Sequence, residues 1–157
     1  MGIWCRTDQE LQGYLRGERA KGHKIVTTNG CFDIVHSGHV KMLREAADQG
    51  DILVVGINSD ASIRKLKGPN RPIRSEEERV EIINAFEMVD YTILFEERDC
   101  MDFIQRVRPD VHVNDASYGE NCIEAETVRS VGARLHLAPK FPCESSTALL
   151  ERIRRLG

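Results

Sequence analysis

Lys24-Ile25-Val26-Thr27-Thr28 runs directly into Asn29-Gly30-Cys31-Phe32-Asp33-Ile34-Val35-His36-Ser37-Gly38-His39. The first five residues read as a short apolar strand. From Gly38 to about Asp48 the chain reads as a helix, with Val40, Leu43 and Ala47 at helical spacing. Two imidazoles, His36 and His39, stand three residues apart around a glycine where the strand hands over to the helix. A helix N-terminus offers unpaired N–H groups and the positive end of the macrodipole, so this is a place where phosphate binds.

The same alternation extends to both ends of the chain. Upstream, Thr7-Asp8-Gln9-Glu10 is a capping box that opens a helix to about Arg19, so residues 1–22 read as an N-terminal helical extension. Downstream, Asp51 to Ile57 is a near-continuous apolar run, as expected of a strand buried on both faces. A short helix capped at Asn58 or Ser59 follows, then a Gly68-Pro69-Asn70-Arg71-Pro72 loop. A second capping box, Ser75 to Glu78, opens a helix to about Phe86. Strands are expected at Tyr91–Phe95, Asp110–Val113 and Arg134–Ala138, and helices at Met101–Val107, Ile123–Val131 and Ser146–Leu156. Strands alternating with helices of this length specify one Rossmann-like α/β domain over residues 1–157. About five parallel strands are expected, with helices on both faces. In such sheets the ligand lies beyond the strand C-termini at the topological switch point, the edge where His36 and His39 fall.

Composition narrows the class. The chain has 157 residues, 41% of them hydrophobic, and a net charge of -3. With a pI of about 6.0, no basic field announces nucleic acid. Basic residues cluster locally at Arg64, Lys65, Lys67, Arg71 and Arg74. Five cysteines without a C-x-x-C, no apolar leader and no long apolar run lead to the expectation of a cytoplasmic protein with reduced thiols and no membrane partner. The P-loop pattern and a G-x-G-x-x-G after the first strand are both absent. Cys31, His36 and His39 are metal-ligand types, but zinc takes three or four ligands and no fourth is in sight, so no metal-ligating residue is assigned.

At this point the chain resembles a known family. Asn29 to His39 is similar to the G-x-F-D-x-x-H-x-G-H signature of the cytidylyltransferase-like nucleotidyltransferases. Asn58-Ser59-Asp60-Ala61-Ser62, Leu66-Lys67-Gly68, Arg71-Pro72-Ile73 and Glu78-Arg79 resemble the adenylyltransferase module that makes ADP-heptose from heptose 1-phosphate. Val89-Asp90 and Ser145-Ser146-Thr147 match as well. H-x-G-H alone is shared with class I aminoacyl-tRNA synthetases; the whole series in this order is far more specific, and it spans about Lys24 to Arg152.

The resemblance implies transfer of a nucleotidyl group from an NTP, ATP or CTP, to a small phosphorylated sugar or polyol with release of pyrophosphate. It implies Mg²⁺ carried with the NTP, since no acidic cluster marks a dedicated cage, and a homodimer. By the same resemblance His36, His39 and Lys67 are catalytic, with Lys65 a weaker candidate. Asn29, Gly30, Phe32, Gly38, Ser145, Ser146 and Thr147 hold the nucleotide. Arg79 and Tyr118 fall on the substrate side with Asp33, which orients the turn. The chemistry suits these residues. A phosphomonoester is mostly dianionic at neutral pH, its second pKa being about 6. The nucleophile therefore needs no general base, and the enzyme must bring anions together and stabilise charge. Histidines of ordinary pKa, about 6.5, are expected to bring their proton to that task.

One departure stands out. The ADP-heptose module reads Lys-Gly-Gly-Asp-Tyr after its fourth strand, where this chain has Asn114-Asp115-Ala116-Ser117-Tyr118. Only the tyrosine is kept. A CTP-dependent enzyme for another phosphate or phosphonate, and a nucleotide-binding module without catalysis, stay open as alternatives.

Overall fold

Ile52 to Asn58 is buried at every position, and the sheet is built around it. The computed structural model describes residues 1–157. Its strands are β1 (Ile3–Cys5), β2 (Ile25–Gly30), β3 (Ile52–Asn58), β4 (Tyr91–Phe95), β5 (Val111–Asp115) and β6 (Arg134–Ala138). All pair in parallel, in the order β1-β4-β3-β2-β5-β6. The helices are α1 (Asp8–Ala20), α2 (Ser37–Ala47), α3 (Asp60–Lys67), α4 (Glu76–Asn84), α5 (Met101–Val107), α6 (Ala125–Ser130) and α7 (Ser146–Leu156).

The sheet has six strands, not about five. The extra one is β1, whose three residues are too few to show a period. It lies at the edge beside β4, with Ile3 opposite Tyr91 and Cys5 opposite Ile93. Gly2 and Ile3 donate their N–H groups to the carbonyls of Asn84 and Asp90, which fixes the register. The N-terminal segment is therefore more than a helical extension. It supplies an edge strand, and α1 buries Leu11 and Leu15 completely in the core. Burying two such side chains contributes roughly 3–6 kcal/mol before entropy is counted.

Side chains alternate across the sheet. On one face Ile52, Val54 and Ile93 pack with Leu11, Leu15, Phe103, Ile104 and Val128, covered by α1, α5 and α6. On the other, Leu53, Val55, Val111 and Val113 pack with Leu43, Ala46, Val80 and Ile83, covered by α2 and α4. Gly56 is a close-approach position. A Cβ there would stand 2.9 Å from the Phe103 ring, which stacks on Phe95 at 5.7 Å.

The topology opens the site. β2 pairs with β3 along its whole length, but with β5 only at Val26–Val111 and Thr27–His112. Successive crossovers leave β2 toward β3 and β4, then return past it to β5 and β6. The two directions diverge beyond Thr28, so a crevice forms at the C-terminal ends of β2 and β5.

Candidate active site

The turn after β2 is held by its own histidines. His36 is the N-cap of α2; its Nδ1 accepts the Gly38 N–H at 3.2 Å. His39 reaches back, and its Nδ1 accepts the His36 N–H at 3.2 Å. This is a capping box with imidazoles in place of Ser and Glu. An Nδ1 that accepts carries no proton, so in each neutral ring the proton sits on Nε2. The two rings lie 3.9 Å apart, and Phe32 stands 5.3 Å from His39. Phe32 holds a left-handed backbone (φ 51), uncommon for a bulky residue, and a Cβ on Gly30 would crowd its ring at 3.0 Å. Gly38 has no room for a side chain either; the crowding atoms are the Cys143 thiol and the His36 ring.

The histidines are not cationic donors, contrary to the expectation from an ordinary pKa. Burial lowers the pKa of His36. Burial, followed by the charges of His36 and Lys67, brings His39 down to about 4. Both are neutral at pH 7, and their donor power rests on the fixed Nε2–H. The positive charge of the cleft comes from Lys67, exposed at the last turn of α3, from Arg98 and Lys140 on its walls, and from the α2 dipole.

Two charged residues expected on the substrate side are committed elsewhere. Asp33 is 2% exposed; one carboxylate oxygen accepts from Arg71 Nε at 2.6 Å, and the other from the N–H groups of Ile73 and Arg74. Burial alone would raise its pKa, yet the hydrogen bonds from Arg74, Arg71 and Ile73 outweigh it and hold the carboxyl below its usual range. Asp33 thus staples the 71–74 loop to the turn. Arg79 is fully buried. Its guanidinium donates to the carbonyls of Cys31 (2.7 Å), Asn58 (2.6 Å) and Arg74 (3.2 Å), and to Asp60 at 2.8 Å. The fork of Arg79, expected on the acceptor side, is filled by these partners and ties the ends of β2 and β3 together. The ion-pair partner is Asp60, not Glu76, whose carboxylate instead accepts the Asp60 N–H.

The crevice is a cleft of about 780 Å³. Its walls bring together Asn29, Gly30, Phe32, Asp33, His36, Gly38, His39, Lys67, Tyr118, Ser145 and Ser146. Arg79, Lys65 and Thr147 do not line it. Ser145 caps α7 by accepting the Ala148 N–H, and the Ser146 hydroxyl donates to the Ile34 carbonyl at 3.0 Å, so the start of α7 is tied to the histidine turn. Cys31 is half-buried; its thiol donates to Asn58 Oδ1 at 3.7 Å, and burial pushes its pKa up, as befits a packing residue. Sequence reasoning missed Cys100 and Glu124, which face the same space from the far wall, beside the Asn114 loop. Their only signal was ligand-type residues at the ends of successive elements.

A parallel sheet with a switch-point cleft, an imidazole-capped helix and a lysine across from it defines a nucleotidyltransferase. The chain belongs to the cytidylyltransferase-like family, whose sequence model matches residues 27–148. It is 44% identical over 149 residues to the "Bifunctional protein HldE" of Syntrophotalea carbinolica, covering 94% of this chain and 30% of that protein. The protein of the same name from Pseudomonas paraeruginosa is 43% identical over 150 residues, 95% of this chain and 32% of its own length. The chain thus spans about a third of the length of these relatives. Among solved structures, the lipopolysaccharide core biosynthesis protein of Thermoplasma volcanium superposes with a TM-score of 0.63 at 30% identity, over 78% of this chain and all of that one. The pantoate-beta-alanine ligase of Francisella tularensis shares the fold, with a TM-score of 0.65 at 13% identity over 90% of this chain and 69% of that one. No helix is long and apolar enough to cross a membrane.

Proposed function

We propose that this domain transfers an adenylyl group from ATP to a sugar 1-phosphate of the heptose type, releasing pyrophosphate. The observation that carries the proposal is the histidine turn: two Nε2–H donors, fixed by backbone hydrogen bonds, at the N-terminus of α2 inside the cleft. A dianionic phosphate oxygen of the acceptor attacks the α-phosphorus. The bond from the α-phosphorus to the bridging oxygen breaks, and pyrophosphate carries away the electron pair. No proton has to be removed, so neutral histidines suffice; their work is to donate to the triphosphate oxygens as charge builds. Lys67 and the α2 dipole offset the charge that two converging anions bring. Ser145, whose hydroxyl oxygen caps α7 and whose proton is free, would donate to a phosphate oxygen, and Ser146 anchors that turn to Ile34.

A divalent cation, Mg²⁺ in this proposal, neutralises part of the triphosphate charge when bound with the NTP. Near the histidines the carboxylate of Asp33 is fully engaged, which fits an ion that arrives with the nucleotide. A homodimer in the cytoplasm is part of the same proposal.

CTP with another phosphorylated acceptor is the second reading, favoured by the Asn114–Ser117 replacement beside the cleft. Pyrophosphate release with each NTP and a panel of sugar and polyol phosphates decides between them. Release with ATP and heptose 1-phosphate supports the proposal. Release only with CTP moves the specificity. None with any pair makes the domain a nucleotide-binding module.

A further inference from the structure

The far wall of the cleft carries a second cluster, apart from the histidine turn. Cys100 precedes α5, His112 lies on β5, and Glu124 precedes α6. All three are buried, and a sulfur, a ring nitrogen and a carboxylate oxygen from them lie within 4.8 Å of one another. We propose that Cys100, His112 and Glu124 form a site for a divalent transition-metal ion of the zinc type. The site shares no residue with the histidine turn.

Two polar deficits in the cluster are ones that a cation removes. His112 is fully buried, its Nδ1 lies 2.8 Å from the Thr27 hydroxyl, and its Nε2 makes no hydrogen bond within the protein. A ring nitrogen left so costs about 1–3 kcal/mol. If Nδ1–H donates to Thr27, Nε2 presents its lone pair to the cluster. That is the usual arrangement of a metal-bound histidine, with the second nitrogen held by a hydrogen bond. Glu124 is 6% exposed; its carboxylate accepts from the Asn114 amide and pairs with no Lys, Arg or His. A buried carboxylate without a cation is expensive.

The donor set is chemically matched. Thiolate, imidazole and carboxylate are the three ligand types of zinc, at roughly 2.0–2.3 Å, which puts ligand atoms about 3.5 Å apart in a tetrahedron. Closing the cluster therefore takes shifts of about 1 Å, within reach of side-chain rotation at Cys100 and Glu124. The bound ion is balanced in charge by one thiolate and one carboxylate. Metal entry displaces the Cys100 thiol proton to solvent. Cys100 and Glu124 also line the cleft. Three protein ligands leave a fourth position there for a water or a substrate oxygen.

The full chain, purified without chelators, is assayed for metal, then stripped and titrated with Zn²⁺ against a chromophoric chelator. Co²⁺ replaces Zn²⁺ to report ligands through its thiolate charge-transfer band. The expected result is one Zn²⁺ per chain, with Cys100→Ser and His112→Gln each weakening affinity about 100-fold or more and Thr27→Val about 10-fold. Cys143→Ser, at an exposed thiol, leaves the affinity unchanged. The Co²⁺ form shows the thiolate band and Cys100→Ser abolishes it. Absence of stoichiometric uptake, or affinity unaltered in folded Cys100→Ser and His112→Gln proteins, overturns the site. Should either variant fail to fold, zinc-edge X-ray absorption of the wild-type protein decides. One sulfur among nitrogen and oxygen neighbours supports the site, and a shell without sulfur overturns it.

Discussion

Replacing Arg79 by alanine is expected to destabilise the domain rather than to disturb one substrate selectively. The guanidinium makes four hydrogen bonds inside the protein, three to backbone carbonyls and one to Asp60, at 2.6–3.2 Å. Alanine leaves the carbonyls of Cys31 and Asn58 facing a void and Asp60 without its partner. Breaking a buried pair by removing one member costs about 3–5 kcal/mol, and the individual hydrogen bonds are not added on top because they belong to the same group. In a domain of this length each kcal/mol lowers Tm by about 2–4 °C, so a fall of about 10 °C or more is expected. Arg79→Lys keeps the charge but not the fork, so it should fall between the two. The assay is thermal melting by circular dichroism, followed by steady-state kinetics below the melting range. Because the clamp joins the histidine turn to β3, folded Arg79→Lys protein should lose kcat and raise KM for both substrates together. An Arg79→Ala protein melting within about 2 °C of wild type, at most about 1 kcal/mol, with a selective rise in acceptor KM, would show that the side chain serves the acceptor after all.

Three further outcomes follow from the geometry. His39→Ala should lower kcat by about 10² or more, the usual loss on removing a charge-stabilising donor, and activity within a factor of about two in a pyrophosphate-release assay would exclude that role. Stability should depend on pH through His39: its folded pKa of about 4 lies below the ordinary 6.5, so the unfolded chain takes the proton first. The stabilisation is fully present above pH 6.5 and is lost as pH falls toward 4, by on the order of 3 kcal/mol at most. His39→Gln should flatten the Tm-against-pH curve across that window, and an unchanged slope would refute the assignment. Gly56→Ala should cost about 1–3 kcal/mol by forcing a methyl against the Phe103 ring, and a Tm within 1 °C of wild type would mean that the ring yields freely.

Much of the fold was legible because its signals are local. The Ser75 capping box, the buried run of β3 and the break at Arg108-Pro109 each act within a few residues. Ser75 accepts the Glu78 N–H and Glu78 returns the bond, as its spacing implies. β1 was not legible, because three residues on a sheet edge are strands only by virtue of β4. The site divided in the same way. The histidine turn is contiguous in sequence, so its place at the strand-to-helix handover on the cleft wall could be read from its residues. The partners of Arg79 were not legible because Cys31, Asn58 and Asp60 come from other elements, and only the fold shows that its fork is full. The pKa of His39 escaped for a related reason: a motif states which groups are present, and burial decides their charge.

The replaced loop acquires a physical meaning once its neighbours are considered. The resemblance leads one to expect a lysine at position 114 and glycines after it. Here Asn114 turns its amide to Glu124, and Asp115 caps a short turn by accepting the Ser117 N–H. A lysine at 114 would place an ammonium against Glu124 and supply the very charge that a metal ion at Cys100, His112 and Glu124 would supply. This chain keeps an uncharged amide and a buried carboxylate beside a thiol and an unpaired imidazole nitrogen. The change therefore falls on the wall opposite the histidine turn and leaves the hydrogen bonds of His36 and His39 untouched.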